Sequence, residues 1–374
     1  MSMPKILGLC NLQFSPSLGE MTSARQLGVT SFLSRYALID FPLSNFSNSG
    51  IDKIGIICQE YPQSVLKHIG NGTSWTSNTK TGLLSLMYNE KGQTNPRFNT
   101  DIQIIKENDW LIKRVDPEYI IIAPAHVICA TSFIPYLDAH IQSKADVSIL
   151  YTHTNKLIES FTSTVVLALN RNGFVSKIKQ NPGNKESGNA SLQIYIISRK
   201  IFNTILKEAD KISLLFGLSE MIKYLNEQKR IKILGQEYKG YARMVCSLGQ
   251  YHKISLELLD HYKRDELFNE KNPVYTTTHN TPPSRYGEHA IVTNSFIANG
   301  AKINGEIENS IISRNVIVHE GAKIKNCILF NGAIIGPNVV LENVIVDKQS
   351  EIDTTEKLCG TSDNPIYIKK GVKV

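Results

Sequence analysis

At 374 residues the chain is long enough for two domains, since single cores stop growing at roughly 250 to 300 residues. Its 41% hydrophobic and 20% charged residues are globular in proportion, and the excess of 41 Lys plus Arg over 34 Asp plus Glu, a formal +7, is spread without a basic tail, which favours small anions or an acidic partner over nucleic acid. Cys10, Cys58, Cys129, Cys246, Cys327 and Cys359 include no C-x-x-C pair, and no apolar run approaches ~18 residues, so neither a zinc site, a disulfide framework, an export leader nor a membrane span is indicated, and a reduced cytosol fits.

In chain order, Lys5 to Cys10 is a first short apolar strand. The turn after it, Asn11 to Gly19, is a poor anion cradle: it offers one Gly, a Pro without an N–H and the bulky Phe14. Ile39 to Asn45 reads as a helix start, with Asp40 able to cap and Pro42 tolerated in the first turn; Asn48, Ser49 and Gly50 stop it. Ile51 to Ile57 is the next strand and completes a βαβ unit of a parallel sheet. His68 to Trp75 is a glycine-bearing loop, and Asp101 to Arg114 a single helix with Ile102, Ile105 and Ile112 on one stripe.

Glu118 to His126 follows directly, a bare apolar run closed by Pro124 that reads as a strand buried on both faces in the middle of the sheet. Ligands of open α/β sheets bind beyond the carboxyl ends of the strands, so Ala123 to His126 should line any active site, and no carboxylate is there. Val147 to Tyr151 and Ser163 to Leu169 are further strands; Leu214, Leu215, Leu218, Met221, Ile222 and Leu225 mark a core-facing helix, and Ile254, Leu258, Leu259 and Tyr262 one more. Asn272 to Tyr286, with three prolines and a Thr run, is an extended linker.

From Ala290 branched aliphatics recur every six residues, as in Ile291, Ile297 and Ile303, and a longer period of 17 relates Asn309, Asn326 and Asn343. Six residues per face and about three faces per coil describe a left-handed parallel β-helix of roughly four coils, whose ends call for a covering partner. The expected architecture is therefore α/β. An α/β domain with a Rossmann-like sheet covers residues 1–250, a helix and Pro-rich linker 251–288, and the hexapeptide-repeat β-helix 289–374.

That combination resembles the nucleotide-sugar pyrophosphorylases, in particular the ADP-glucose pyrophosphorylase (glucose-1-phosphate adenylyltransferase) family of glycogen synthesis, and the resemblance implies that residues 1–250 form a GT-A-type nucleotidyltransferase domain. The resemblance is carried by Ile39 to Asn45 with Asn48 to Ile51, by His68 to Trp75, by Asn272 to Tyr275, and by the coils from Asn294 to Asp347, and it spans nearly the whole chain. Catalytic members of the family use a Gly-Gly-x-Gly-Thr-Arg-Leu turn, an Asp in Ser-Gly-Asp-His, a Glu-Lys-Pro for the sugar phosphate and an Asp in Trp-Arg-Asp-Val-Gly-Thr. Here these positions read Asn11 to Gly19; Ala123, Pro124, Ala125, His126; Gln180, Asn181, Pro182; and Ala242 to Ser247. Both metal carboxylates would be Ala125 and Met244.

A divalent ion without protein ligands forfeits several kcal/mol of transition-state stabilisation, and each ~1.4 kcal/mol is tenfold in rate. The resemblance thus implies a GlgD-type, catalytically degenerate regulatory subunit, with no catalytic residue, cofactor or metal of its own, that assembles with the catalytic subunit as a cytoplasmic heterotetramer. Magnesium and ATP are expected in that partner. His126 keeps the family's histidine as a rim residue, and Ser191 matches a sugar-side position where Gln193 suggests a filled pocket. Arg25 lies in a segment the family uses near an allosteric anion site, Arg35 lies close by, and Arg285 and Arg314 stand where the β-helix starts; together they are expected to bind a phosphorylated effector. Two alternatives remain open: a residually active adenylyltransferase using Asp101 or Glu107, and an acyltransferase using His319.

Overall fold

In the computed structural model, which describes residues 4–374 apart from 14, 77–81, 90–97, 163, 182, 184 and 354–356, the apolar run after Glu118 becomes strand Tyr119–Pro124. It pairs in parallel with Ile6–Asn11, and beyond that strand come Lys53–Ile57 and Leu83–Met87, also parallel. On its other side lies the eleven-residue strand Gly188–Ser198, antiparallel to it. The nine-stranded sheet is therefore mixed rather than parallel. A strand buried on both faces carries the same unbroken apolar signature whichever way its neighbour runs, so the pattern alone does not give its direction.

Four helical expectations are corrected, two of them because a polar side chain satisfies the backbone locally. Asp101 to Arg114 is two helices, Asp101–Glu107 and Asp109–Val115, because Asn108 turns its side-chain amide onto the carbonyls of Ile104 and Tyr88. The segment from Leu248 is likewise split into Leu248–Glu257 and His261–Leu267, the second capped by Asp260, whose carboxylate accepts from Tyr262 N. Tyr262 consequently stands in solvent. Leu214 and Leu215 precede helix Leu218–Glu227 and are half exposed, so they are not part of its buried stripe. Asp40 opens helix Asp40–Asn48 without capping it; its carboxylate accepts from Ala37 N and pairs with His68.

The C-terminal strands stack into three five-stranded parallel sheets, so the left-handed β-helix has five rungs rather than about four. The extra rung begins at Arg285–Tyr286, inside the segment read as linker. Asn294, Asn309, Asn326 and Asn343 all adopt left-handed backbone, with φ of 43°, 47°, 51° and 52°. Asn tolerates that region better than other side chains, which is why the corner repeats it.

Helix Leu248–Glu257 joins the two halves. Tyr251, Ile254 and Leu258 pack in one core with Leu27, Phe32 and Phe41 of the N-terminal half and with Ile311, Ile328 and Ile345 on one face of the β-helix. His252 adds a ring nitrogen 2.7 Å from the carbonyl of Asn326. The β-helix thus rests on the loops beyond the carboxyl ends of Ile6–Asn11 and Tyr119–Pro124, where ligand sites of such sheets form.

Candidate functional site: a closed crevice and a basic cleft

At those carboxyl ends Asn11 and Pro124 are register partners, and Ala125 lies just beyond. Ala125, Leu12, Ile39 and Met244 are all buried in one apolar core. A Cβ added at Gly28 would come within 2.7 Å of a Leu12 methyl and 3.2 Å of the Ala125 Cβ, so even a methyl group lacks room. Met244 belongs to a two-residue strand paired with Val127–Ile128 and is buried opposite Val127. This lining does not fit a divalent ion, which demands oxygen ligands.

The other residues expected on the substrate side have their polar groups committed internally. Asn181 is buried; its amide nitrogen donates to the carbonyls of Phe161 and Leu157, and its oxygen accepts from Gly183 N. Pro182 and Phe14 lie outside the described residues. Ser191 is fully buried, its hydroxyl accepting from Gln193 N. Gln193 sits where the pairing of Gly188–Ser198 with Val147–Thr154 shifts register, with φ of 54°, and its side chain hydrogen-bonds His126.

His126 itself is buried with Nδ1 unpartnered. Burial lowers its pKa to about 4, the Gln193 hydrogen bond acting in the opposite sense. The ring is neutral at pH 7 and unsuited to act as a cation. His140, also buried and hydrogen-bonded to Ser148, is lowered to about 4 by burial as well. Both rings gain protons more readily unfolded, where the pKa is about 6.5. Stability is therefore full above that pH and falls as pH drops from there toward 4. Each is expected to cost about 2 kcal/mol between pH 7 and pH 5, read as a fall in urea midpoint that His126→Gln reduces.

Asp101 carries a raised pKa, chiefly from burial, and both its oxygens are engaged: by Ile102 N and Leu218 N on one side and by the Asn11 amide on the other. Glu107 is exposed at the far end of the same helix, about 9 Å along its axis. His319 is exposed on a coil corner. Asp101 thus stands beside Asn11 at the rim of the crevice with both oxygens committed, and Glu107 faces solvent.

A second recess is open. Between the hairpin Ser31–Ala37, helix His261–Leu267, the Thr277–His279 segment and the β-helix lies a cleft of about 520 Å³. Arg35 and Arg314 both line it, and among the described residues neither has an ion-pair partner. Burial and then the Arg35 charge lower the pKa of Arg314. Tyr36 and Phe268, stacked with ring centroids 5.1 Å apart, form an aromatic wall.

Of the four expected effector arginines, the structure brings together these two. Arg25 lies on the same seam, but its guanidinium is paired with the buried carboxylate of Asp347, which also accepts from the Tyr367 hydroxyl at 2.5 Å. Arg285 is exposed on the first rung of the β-helix and does not line the cleft.

Sequence reading missed Lys348 and His279, which adjoin this basic seam: His279 feels the charges of Arg314, His68 and Lys348. A signal was available for Lys348. Backbone bonds link the corners at Arg314, Gly332, Asn331 and Gln349, so the period of 17 places residues 314, 331 and 348 on one column of corners.

Residues 18–238 match the nucleotidyl transferase family model and residues 281–363 the GlmU-like C-terminal hexapeptide model. The chain is 30% identical over 366 residues to the glycogen biosynthesis protein GlgD of Bacillus subtilis, covering 96% of this chain and 94% of that protein. It is 30% identical over 306 residues to the glucose-1-phosphate adenylyltransferase of Lachnospira eligens, covering 81% and 71%. With the corresponding enzyme of Clostridium perfringens strain SM101 it shares 28% over 331 residues, covering 87% and 82%. No helix among the described residues is long and apolar enough to cross a membrane. A mixed α/β domain, a hexapeptide β-helix docked on its ligand end and near full-length similarity to such relatives place this chain in the glucose-1-phosphate adenylyltransferase family of nucleotidyl transferases, with the GlgD protein of glycogen biosynthesis among its members.

Proposed function

We propose that this chain is the non-catalytic, regulatory subunit of a cytoplasmic glucose-1-phosphate adenylyltransferase assembly, a heterotetramer in which the partner subunit binds magnesium and ATP and makes ADP-glucose. The observation that carries the reading is the closed crevice. Leu12, Ala125 and Met244 fill with carbon the place where a metal and its phosphates would have to sit. Electrostatic stabilisation of a transferring phosphoryl group needs charged or polar groups aimed at it, and the described side chains Leu12, Ala125 and Met244 supply none.

What the molecule keeps is the cleft between its domains, where Arg35 and Arg314 face each other and, among the described residues, neither is ion-paired to a carboxylate. Guanidinium groups suit the oxygens of a phosphorylated metabolite, and binding one there relieves their mutual repulsion. Because the cleft touches both halves of the chain, its occupancy bears on how the β-helix sits on the N-terminal domain, and through that on a neighbouring subunit.

Two experiments test the proposal. The purified chain, given ATP, glucose 1-phosphate and magnesium, is expected to form no ADP-glucose, while mixing it with the catalytic subunit is expected to alter activity or effector response. Unchanged kinetics together with unchanged sedimentation on mixing would sink the idea. Arg314→Gln is expected to weaken binding of a phosphorylated sugar, measured by calorimetry, by tenfold or more, since charge-assisted hydrogen bonds contribute about 1.5–3 kcal/mol.

A further inference from the structure

We propose that His279 is a third anion-binding group of this cleft that engages only as its imidazolium, so that a phosphate- or sulfate-type dianion enters together with a proton. The inference rests on the cleft being an anion site and adds to it a dependence on pH.

His279 lies on the segment that runs between the domains, and it lines the cleft alongside Arg35 and Arg314. The charged groups that act on it are Arg314, His68 and Lys348, all basic. Arg314 stands on one β-helix corner, and Lys348 on the same column of corners two coils further on. His68 comes from the end of helix Pro62–Ile69, held 2.6 Å from the buried carboxylate of Asp40. Arg35 acts in turn on Arg314, and Lys348 is itself depressed by burial and by Arg25, Lys370 and Lys67, with Asp347 opposing. On the opposite wall Asp265, the one carboxylate among the described cleft residues, stands 3.7 Å from Arg264 of its own helix. The nearest partner of the ring is neutral: the Thr277 hydroxyl, 3.5 Å from Nε2.

Partial burial first, and then Arg314, His68 and Lys348, hold the pKa of His279 below its ordinary value while the cleft is empty. A bound dianion reverses the sign of the local field, so the bound-state pKa lies above the free one. Below both values the ring is already charged and affinity is at its high plateau. Between them binding takes up a proton and weakens about tenfold per pH unit; above both it settles at a low plateau.

The test is sulfate titration of the full chain by calorimetry at fixed ionic strength from pH 5.5 to 8.5. Sulfate is chosen because it does not itself titrate in that range. The native chain is expected to lose affinity as pH rises and to show proton uptake when buffers of different ionisation enthalpy are compared. His279→Asn should bind at the weak plateau without pH dependence, and His279→Lys tightly without pH dependence. Since the ring is exposed, neither change threatens folding. A flat native profile, or an unaltered slope in His279→Asn, overturns the proton coupling while leaving the cleft as an anion site if Arg314→Gln still weakens binding. Sulfate binding indifferent to both Arg35→Gln and Arg314→Gln, or no sulfate binding at all, would instead remove the anion site and the proton coupling with it.

Discussion

Ala125→Asp, which supplies an acid at the position proposed to have lost one, is expected to destabilise the chain by roughly 3–5 kcal/mol and to create no magnesium-dependent turnover. The reason is the surroundings rather than the residue. Ala125 is fully buried in an apolar core, close to Leu12 and Gly28. An unpaired charge forced into such a core costs several kcal/mol or protonates. The loss would be read as a fall in urea midpoint without a change in slope. Ala125→Ser, smaller and uncharged, should cost less, about 1–3 kcal/mol for an unsatisfied hydroxyl. Native-like stability of the Asp variant, together with ADP-glucose formation, would mean that the crevice opens and that the regulatory reading is mistaken.

Arg25→Ala is expected to produce a loss of similar size at the seam between the domains, about 3–5 kcal/mol, because it leaves the Asp347 carboxylate buried without its cation. Tyr367 and the backbone N–H of Lys348 still donate to that carboxylate, which puts the expectation toward the lower end. The double variant Arg25→Ala with Asp347→Asn should recover much of the loss, since the uncompensated charge is then gone. Chemical denaturation gives the size of the effect, and the rate of proteolysis within residues 272–284 shows whether it is concentrated where the halves meet. Equal stability of Arg25→Ala and the native chain would show that the pair is not what docks the β-helix.

Much of the fold is readable from the chain because its signals are periodic. The aliphatic spacing of six and the Asn spacing of 17 each arise from a repeated local geometry, a buried corner and a left-handed turn, so they survive translation from sequence to structure. The errors fall where one polar residue decides. Asn108 ends one helix and Asp260 begins another, each by a side-chain hydrogen bond, and an apolar periodicity count takes no notice of either.

The candidate site divides along the same line. The lack of acids at Ala125 and Met244 is a matter of residue identity, open to inspection in the one-dimensional chain. That the vacated space is filled by Leu12, Ile39 and their neighbours is not, since those side chains come from segments more than a hundred positions away from Met244. Arg25 and Arg35 look alike in the sequence, ten positions apart and both basic. Folding gives one a buried carboxylate and leaves the other facing Arg314 across an open cleft.

By itself, then, the order of residues determined the family, the two kinds of domain and the absence of acids at Ala125 and Met244, because each depends on local pattern or on identity at a position. Only the tertiary structure decided which recess stays open and which cations remain unpaired within it. Burial and charge pairing are set by distances between residues far apart in the chain, and those distances exist only once the β-helix has docked on the loops of the sheet.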